Sequence, residues 1–209
     1  MKYQASDKLT YNIQNENFFI HINNKFESTI LKEIESINSD NKIFFVYDSH
    51  INPKIIKNLT KFLRKTGNII ITKRLKGNKS NKNRKQLFEI IDNLIKEKFT
   101  KKSILLSMGG GVVGDLSALA ASLYLRGLIY FHVPTTMTSI IDSCIGGKTG
   151  INYNNVINSI GNYYHAKSVF IDFNIIKDLP EREYNAGISE ILKCCIINKG
   201  LDMNFLKKN

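Results

Sequence analysis

The amino-acid sequence predicts an α/β fold, a mostly parallel sheet covered by helices on both faces. Three observations carry that expectation. Short apolar runs alternate with amphipathic stretches of helical period. A glycine-rich turn, Gly109-Gly110-Gly111-Val112-Val113-Gly114-Asp115, joins one apolar run to an Ala- and Leu-rich segment. Apolar residues make up 43% and charged residues 23% of the 209 positions, the balance of a globular chain with a sizeable core.

Taken in order, Phe18 to Ile22 reads as a short strand. Phe26 to Ile37 carries Phe26, Ile30, Leu31, Ile34 and Ile37 at the spacing of one helix face. Lys42 to Tyr47 is an apolar strand ending at Asp48. Pro53 then opens a helix at its favoured first position, and Gly67 closes it. Asn68 to Thr72 is a third strand, followed by a polar loop from Lys73 to Asn83. Lys85 to Phe99 is helical, with Leu87, Ile90, Ile91, Leu94 and Ile95 inward. Ser103 to Met108 is a buried strand that runs into the glycine turn and a helix to Leu125. Ile129 to Val133 is a strand stopped by Pro134, and Ser168 to Ile171 another. Glu183 to Asn198 is a final helix. Strands separated by helices of this length form parallel sheets. Gly146 to Gly161, rich in Gly and Asn without a clear period, reads as a long functional loop.

The formal net charge is +12. Lys, Asn and Ile together exceed a third of the residues, a bias that AT-rich coding produces without any functional cause. A nucleic-acid surface would interleave its basic residues with aromatic platforms. The densest basic run, Lys73 to Lys85, has no aromatic residue, so no nucleic-acid partner is expected. The opening MKYQASDKLT lacks the apolar centre of a signal peptide. No apolar run reaches the roughly 18 residues of a membrane span. A cytoplasmic location without membrane contact follows as the expectation, with Cys144, Cys194 and Cys195 reduced.

Gly109, Gly111 and Gly114 fit the G-x-G-x-x-G pattern between a strand and a helix. The chemistry is direct. The chain must turn sharply, a pyrophosphate must approach bare backbone, and a helix N-terminus offers free N–H groups with a positive dipole end. In the ordinary dinucleotide fold this pattern follows the first strand, with an acidic residue about 20 positions on. Here it follows at least three strands, and Pro134 occupies that later position. The standard Rossmann arrangement is therefore disfavoured. Gly146-Gly147-Lys148-Thr149 imitates the end of a P-loop, but Asp142 stands where the first glycine of that motif belongs.

Further dense segments follow: Tyr124-Leu125-Arg126-Gly127, Val133-Pro134-Thr135-Thr136, Asp142 to Gly150, Asn158-Ser159-Ile160-Gly161, Leu179 to Glu183 and Ala186 to Lys193. In this order, from about Met108 to Ile197, the chain resembles the 3-dehydroquinate synthases, sugar-phosphate cyclases of the shikimate pathway. The resemblance implies a dehydroquinate-synthase-like nucleotide-binding domain over residues 1–182. Residues 183–209 would be the first helix of a C-terminal helical domain that is otherwise absent from the chain.

The resemblance also implies roles. Gly110, Gly111, Val112, Val113, Gly114 and Asp115 would hold the pyrophosphate and ribose of NAD. Thr135 and Thr136 would add cofactor contacts, Asp142 and Lys148 would lie near the nicotinamide, and Asp48 would lie by the adenosine. Lys148, Asn158 and Lys193 would contact a phosphorylated seven-carbon keto-acid. Arg126 would reach a phosphate across a homodimer interface. Glu190 would be one ligand of a divalent metal, zinc or cobalt. Lysines and an arginine suit an anionic substrate.

Three departures from the family stand out. Ile157 replaces a lysine before the N-x-I-G segment, and a lost charged hydrogen bond costs about 1.5–3 kcal/mol. The Gly-Glu-x-x-Lys cofactor segment reads Gly77-Asn78-Lys79-Ser80-Asn81-Lys82, without its Glu and with its Lys displaced. The family's two histidine metal ligands have no counterpart. His21, His50, His132 and His165 lack ligand-like spacing to one another or to Glu190, and a catalytic zinc needs about three protein ligands. Those ligands would come from a separate C-terminal half. Other readings stay open: an NAD-binding module without catalysis, or a related polyol dehydrogenase that would reduce NAD with simple polyols. Exposed apolar surface is expected on the helix from Glu183.

Overall fold

The computed structural model describes residues 7–22, 26–37, 39–177 and 179–197. Nine strands and six α-helices alternate among the described residues. They run β1 (Asp7–Ile13), β2 (Glu16–Ile22), α1 (Phe26–Ser36), β3 (Lys42–Asp48), α2 (Pro53–Lys65) and β4 (Ile69–Leu75). There follow α3 (Arg84–Lys96), β5 (Ile104–Gly109), α4 (Gly111–Leu123), β6 (Ile129–Pro134), β7 (Lys148–Tyr153) and β8 (Val156–Tyr163). The last are β9 (Ser168–Ile171), α5 (Phe173–Ile176) and α6 (Glu181–Ile197).

Seven strands form one sheet in the order β1-β2-β9-β6-β5-β3-β4. Only the β1–β2 pair in it is antiparallel. The interior strand β5 is buried along its whole length, as expected when helices cover both faces. Phe26, Ile30 and Ile34 of α1 and Ile56, Leu59 and Leu63 of α2 pack one face; Leu87, Ile90 and Leu94 of α3 and Val113, Leu116 and Leu119 of α4 pack the other. Two helix starts follow from local chemistry. The Asn52 side chain accepts from the Lys54 N–H ahead of Pro53, and the Asn83 side chain accepts from the Gln86 N–H.

The structure differs from the sequence expectation most at two places. The segment from Gly146 to Gly161 is not a loop: β7 and β8 pair as an antiparallel hairpin. Asn154 and Asn155 turn it, with φ of 46° and 63°. Asn tolerates the left-handed region, and tight hairpin turns require it at both central positions. The second difference is β1, an edge strand that lies outside the elements expected from sequence; it alternates Leu9, Tyr11 and Ile13 with polar residues but stays mostly exposed. It joins β2 through Gln14 and Asn15, both at positive φ.

A partly buried ionic cluster anchors this edge. The Glu33 carboxylate of α1 meets Lys8 at 3.0 Å and His21 at 3.2 Å, and accepts from Ser168 at 3.0 Å. Burial alone would raise its pKa; hydrogen bonds from His21, Lys8 and Ser168 outweigh burial and hold it at about 2. A depressed carboxylate pKa contributes stability above the unfolded value, lost as pH falls through the folded value. Glu33→Gln is therefore expected to cost about 3 kcal/mol at pH 7 and almost nothing near pH 2. Denaturant unfolding at the two pH values checks it.

Helix α6 rests on the segment after β6. A Cβ on Gly187 would fall well inside contact distance of Met137. Tyr184, Leu192, Ile196 and Ile197 remain exposed, the last two at 73% each, so the apolar surface expected on this helix is present. The expected extension beyond Ile197 lies outside the described residues. No described helix is long and apolar enough to cross a membrane.

Candidate functional site

The connections of the sheet place a crevice at the glycine turn. From β3 the chain crosses by α2 to β4 on one side; from β5 it crosses by α4 to β6 on the other. Ligands of open α/β sheets bind where neighbouring strands depart in opposite directions, outside their carboxyl ends. Asp48 ends β3 and Gly109 ends β5, so both flank that point.

Each glycine of the turn has a separate physical reason. A Cβ on Gly109 would lie 2.7 Å from the Val113 Cβ, so the strand-to-helix bend tolerates no side chain. A Cβ on Gly114 would lie 3.2 Å from the His132 ring, which fixes how closely α4 approaches β6. At Gly111 the nearest atom would be the Ser143 hydroxyl at 3.5 Å, so the backbone there is open on one side. Gly110 is the N-cap of α4 and provides no side-chain cap. The first N–H groups of α4 thus lack a side-chain partner from the capping position, the arrangement that takes an anion. Thr136 stands over Gly110, 3.0 Å from where its Cβ would be. Thr135 is buried, and its N–H donates to the Gly109 carbonyl.

Beside the turn lies a cleft of about 540 Å³, lined by Lys82, Asp115, Asp142, Ser143, Lys148 and Asn158, among others. Four of the residues singled out from sequence, Asp115, Asp142, Lys148 and Asn158, are thus brought together. The hairpin delivers Lys148 at the start of β7 and Asn158 on β8; Asn158 has a φ of 52°.

Lys82 is the residue that sequence reasoning passed over. Its ammonium pairs with Asp115 and donates to the Asn158 Oδ1 at 2.5 Å. It therefore ties the α4 side of the cleft to the hairpin side. The short 3-10 turn Lys79–Asn81 precedes Lys82, which lines the cleft. Burial raises the Asp115 pKa, Lys82 opposes the rise, and Asp142 adds to it. Ile157 does not line this cleft. It is 74% exposed and borders a separate groove with Lys79, Ser80 and Lys82.

The other candidates do not line this cleft. The Asp48 carboxylate bonds the ring and backbone N–H of His50 and closes against Gly77. Arg126 is exposed in a turn where Leu125, Arg126 and Gly127 all have positive φ. It stands at the far end of α4, roughly 20 Å from the glycine turn at 1.5 Å per residue. Glu190 and Lys193 pair with each other at 3.2 Å on α6. The Lys193 pKa is raised by Glu190 first and by Asp142 less; α6 packs against the Ser139–Ser143 turn that carries Asp142. Among the described residues no group of three His, Cys, Asp or Glu side chains could hold a metal ion. The single carboxylate of Glu190 does not make such a site.

Comparison with known proteins bears on this geometry. The family described as 3-dehydroquinate synthase N-terminal matches residues 72–186. The 3-dehydroquinate synthase of Ruminiclostridium cellulolyticum is 35% identical over 88% of this chain and 51% of its own length. That of Pelagibacter ubique is 38% identical over 97% of this chain and 55% of its own length. The chain therefore spans about half the length of the curated relatives it matches. Among solved structures, a 2-deoxy-scyllo-inosose synthase bound to carbaglucose-6-phosphate, NAD+ and Co2+ superposes with a TM-score of 0.82 at 22% identity. It covers 90% of this chain and 50% of its own. A 2-epi-5-epi-valiolone synthase from Streptomyces hygroscopicus subsp. jinggangensis, with NAD+ and Zn2+ bound, gives 0.77 at 26% identity. It covers 88% of this chain and 50% of its own.

Proposed function

Because this chain belongs to the 3-dehydroquinate synthase family, we propose that it provides the NAD-binding half of a 3-dehydroquinate synthase. The reaction is the cyclisation of 3-deoxy-D-arabino-heptulosonate 7-phosphate to 3-dehydroquinate with release of phosphate. The observation that carries this reading is the convergence of Asp115, Asp142, Lys148 and Asn158 on one cleft beside an open glycine turn.

The residues fit a dinucleotide. The α4 N-terminus and Gly111 accept the pyrophosphate on bare backbone, and Asp115 with Thr135 and Thr136 stands where ribose hydroxyls approach. NAD, when bound, supplies a transient oxidation of a substrate hydroxyl. The chain's own residues orient and neutralise. Lys148 presents an ammonium to the anionic substrate, Lys82 holds Asp115 and Asn158 in register, and Asn158 offers an amide to a substrate oxygen. Lys193 faces the same region from α6, and Arg126, remote in its own copy, serves a second copy in a homodimer.

The metal does not fit the described residues. Glu190 needs partners from outside the described residues, which a helical half provides. The exposed Leu192, Ile196 and Ile197 are the surface on which that half docks. Phosphate release from the heptulosonate phosphate is expected to be absent with this chain alone. It is expected to appear when the helical half of a relative is mixed in with zinc or cobalt. A mixture that stays inactive while NAD still binds favours a non-catalytic NAD-binding module. The cytoplasm is the compartment for this chemistry.

A further inference from the structure

Behind the cleft, five side chains form a continuous hydrogen-bonded line. The Ser143 hydroxyl is 3.3 Å from that of Ser139, and Ser139 is 3.3 Å from the His132 Nε2. The His132 Nδ1 is 2.7 Å from the Ser107 Oγ, which is 2.8 Å from the Tyr130 Oη. Tyr130 ends the line at the Gly114 carbonyl, 3.2 Å away. Ser107, Tyr130, His132 and Ser139 are all buried. Only Ser143 borders the cleft.

Counting protons along this line gives it a direction. A carbonyl can only accept, so the single proton of Tyr130 goes to Gly114. Ser107 must then donate to Tyr130, which spends its only proton. The bond between Ser107 and His132 is left to the imidazole, so Nδ1 carries the hydrogen. Burial pushes the His132 pKa down to about 4, so the ring is neutral and Nε2 is a lone pair. Ser139 therefore donates to Nε2, and Ser143 donates to Ser139. The Ser143 proton points inward, and only its lone pairs are left for the cleft.

We propose that Tyr130, Ser107, His132 and Ser139 are positioning residues that fix the Ser143 hydroxyl as a hydrogen-bond acceptor toward the cleft. It then selects a ligand that offers an N–H or O–H donor at that point. Both ends of the line also rest on the glycine turn, Ser143 beside Gly111 and Tyr130 on Gly114. The line thus couples the phosphate-binding backbone to the polarity of the cleft wall. The direction rests on the hydrogen-bond geometry and on the neutral ring that burial of His132 enforces; the ligand half rests on the dinucleotide reading, with the amide N–H of the nicotinamide carboxamide as the donor.

Nitrogen-15 spectra of the labelled protein test the direction. In the wild type His132 is expected as the Nδ1–H tautomer. In Tyr130→Phe, Ser107 loses its acceptor, turns its proton onto Nδ1, and the ring is expected to switch to Nε2–H. Ser107→Ala is a second variant, expected to leave the buried tyrosine in place while cutting the line. NAD titration tests the ligand half: Tyr130→Phe and Ser143→Ala are each expected to weaken binding by about three- to tenfold. An Nε2–H tautomer in the wild type overturns the direction. Unchanged NAD affinity in both variants overturns the acceptor role. A wild type that binds no NAD removes the ligand half together with the proposed function, while the spectrum still decides the direction.

Discussion

Replacing Lys82 with Met is expected to lower stability at pH 7 by about 3 kcal/mol and to weaken NAD binding about tenfold or more. The Lys82 and Asp115 side chains are only 13% and 16% exposed. Removing one partner of a pair so enclosed leaves the other charge without compensation. Burial already raises the Asp115 pKa, Lys82 counteracts it, and Asp142 pushes the same way as burial. Without Lys82 the remaining influences all act upward. A carboxyl whose folded pKa lies above its unfolded value loses stability as pH rises through the folded pKa. The deficit is therefore full at neutral pH and shrinks as pH falls into the ordinary carboxylate range. Denaturant midpoints across that range give the stability, and calorimetry gives the affinity. The double variant Lys82→Met/Asp115→Asn is expected to regain most of the stability but none of the NAD affinity, because its loss is of the site and not of the fold.

Gly161→Ala is expected to have the second large effect. A Cβ there would press well inside contact distance of the Thr149 carbonyl oxygen, and within 3.1 Å of the Gly150 Cα across the hairpin. Both obstacles are backbone, so no side-chain rotation relieves them. The β7–β8 pair must open, which costs about 1–3 kcal/mol. It also withdraws Lys148 and Asn158 from the cleft together, so ligand affinity is expected to fall by about a hundredfold. Gly67→Ala is the control. Its φ of 86° makes it strained, but nothing lies within 4 Å and it is remote from the cleft. It is expected to cost stability without touching affinity.

The sheet was legible because its signal is local. The apolar runs of β3, β5 and β6 are continuous, Pro53 marks the start of α2, and the helical spacing of Leu87, Ile90 and Leu94 marks α3. The glycine turn was legible for the same reason. What escaped depends on pairing at a distance. The β7–β8 hairpin presents mostly exposed residues on β8, so no apolar alternation marks it; only Asn154-Asn155 between Tyr153 and Val156 signals the turn. β1 does alternate, with Leu9, Tyr11 and Ile13, but it is a short edge strand exposed along most of its length.

The site divides in the same way. Asp115, Asp142, Lys148 and Asn158 were named from the family resemblance of their segments, and the fold gathers them. Lys82 sits among lysines that look alike in sequence, and only its enclosure against Asp115 separates it from Lys79 and Lys85. Ile157 reads as a lost cation in sequence, yet it faces outward from the cleft-lining set. Its neighbour Asn158 is served instead by Lys82. The His132 line was invisible because its members come from β5, β6 and the turn Ser139–Ser143, far apart along the chain.

The central claim is that the backbone at Gly111 receives the dinucleotide pyrophosphate. Titration calorimetry of NAD into the wild type and into Gly111→Ala tests it most directly. The added methyl group would meet only the Ser143 hydroxyl at 3.5 Å, so the variant keeps its fold, and its thermal unfolding verifies that. The wild type is expected to bind one NAD with a dissociation constant on the order of micromolar, and Gly111→Ala to bind at least about tenfold more weakly. A wild type that takes up no NAD, or a folded Gly111→Ala that binds it equally well, would contradict the account.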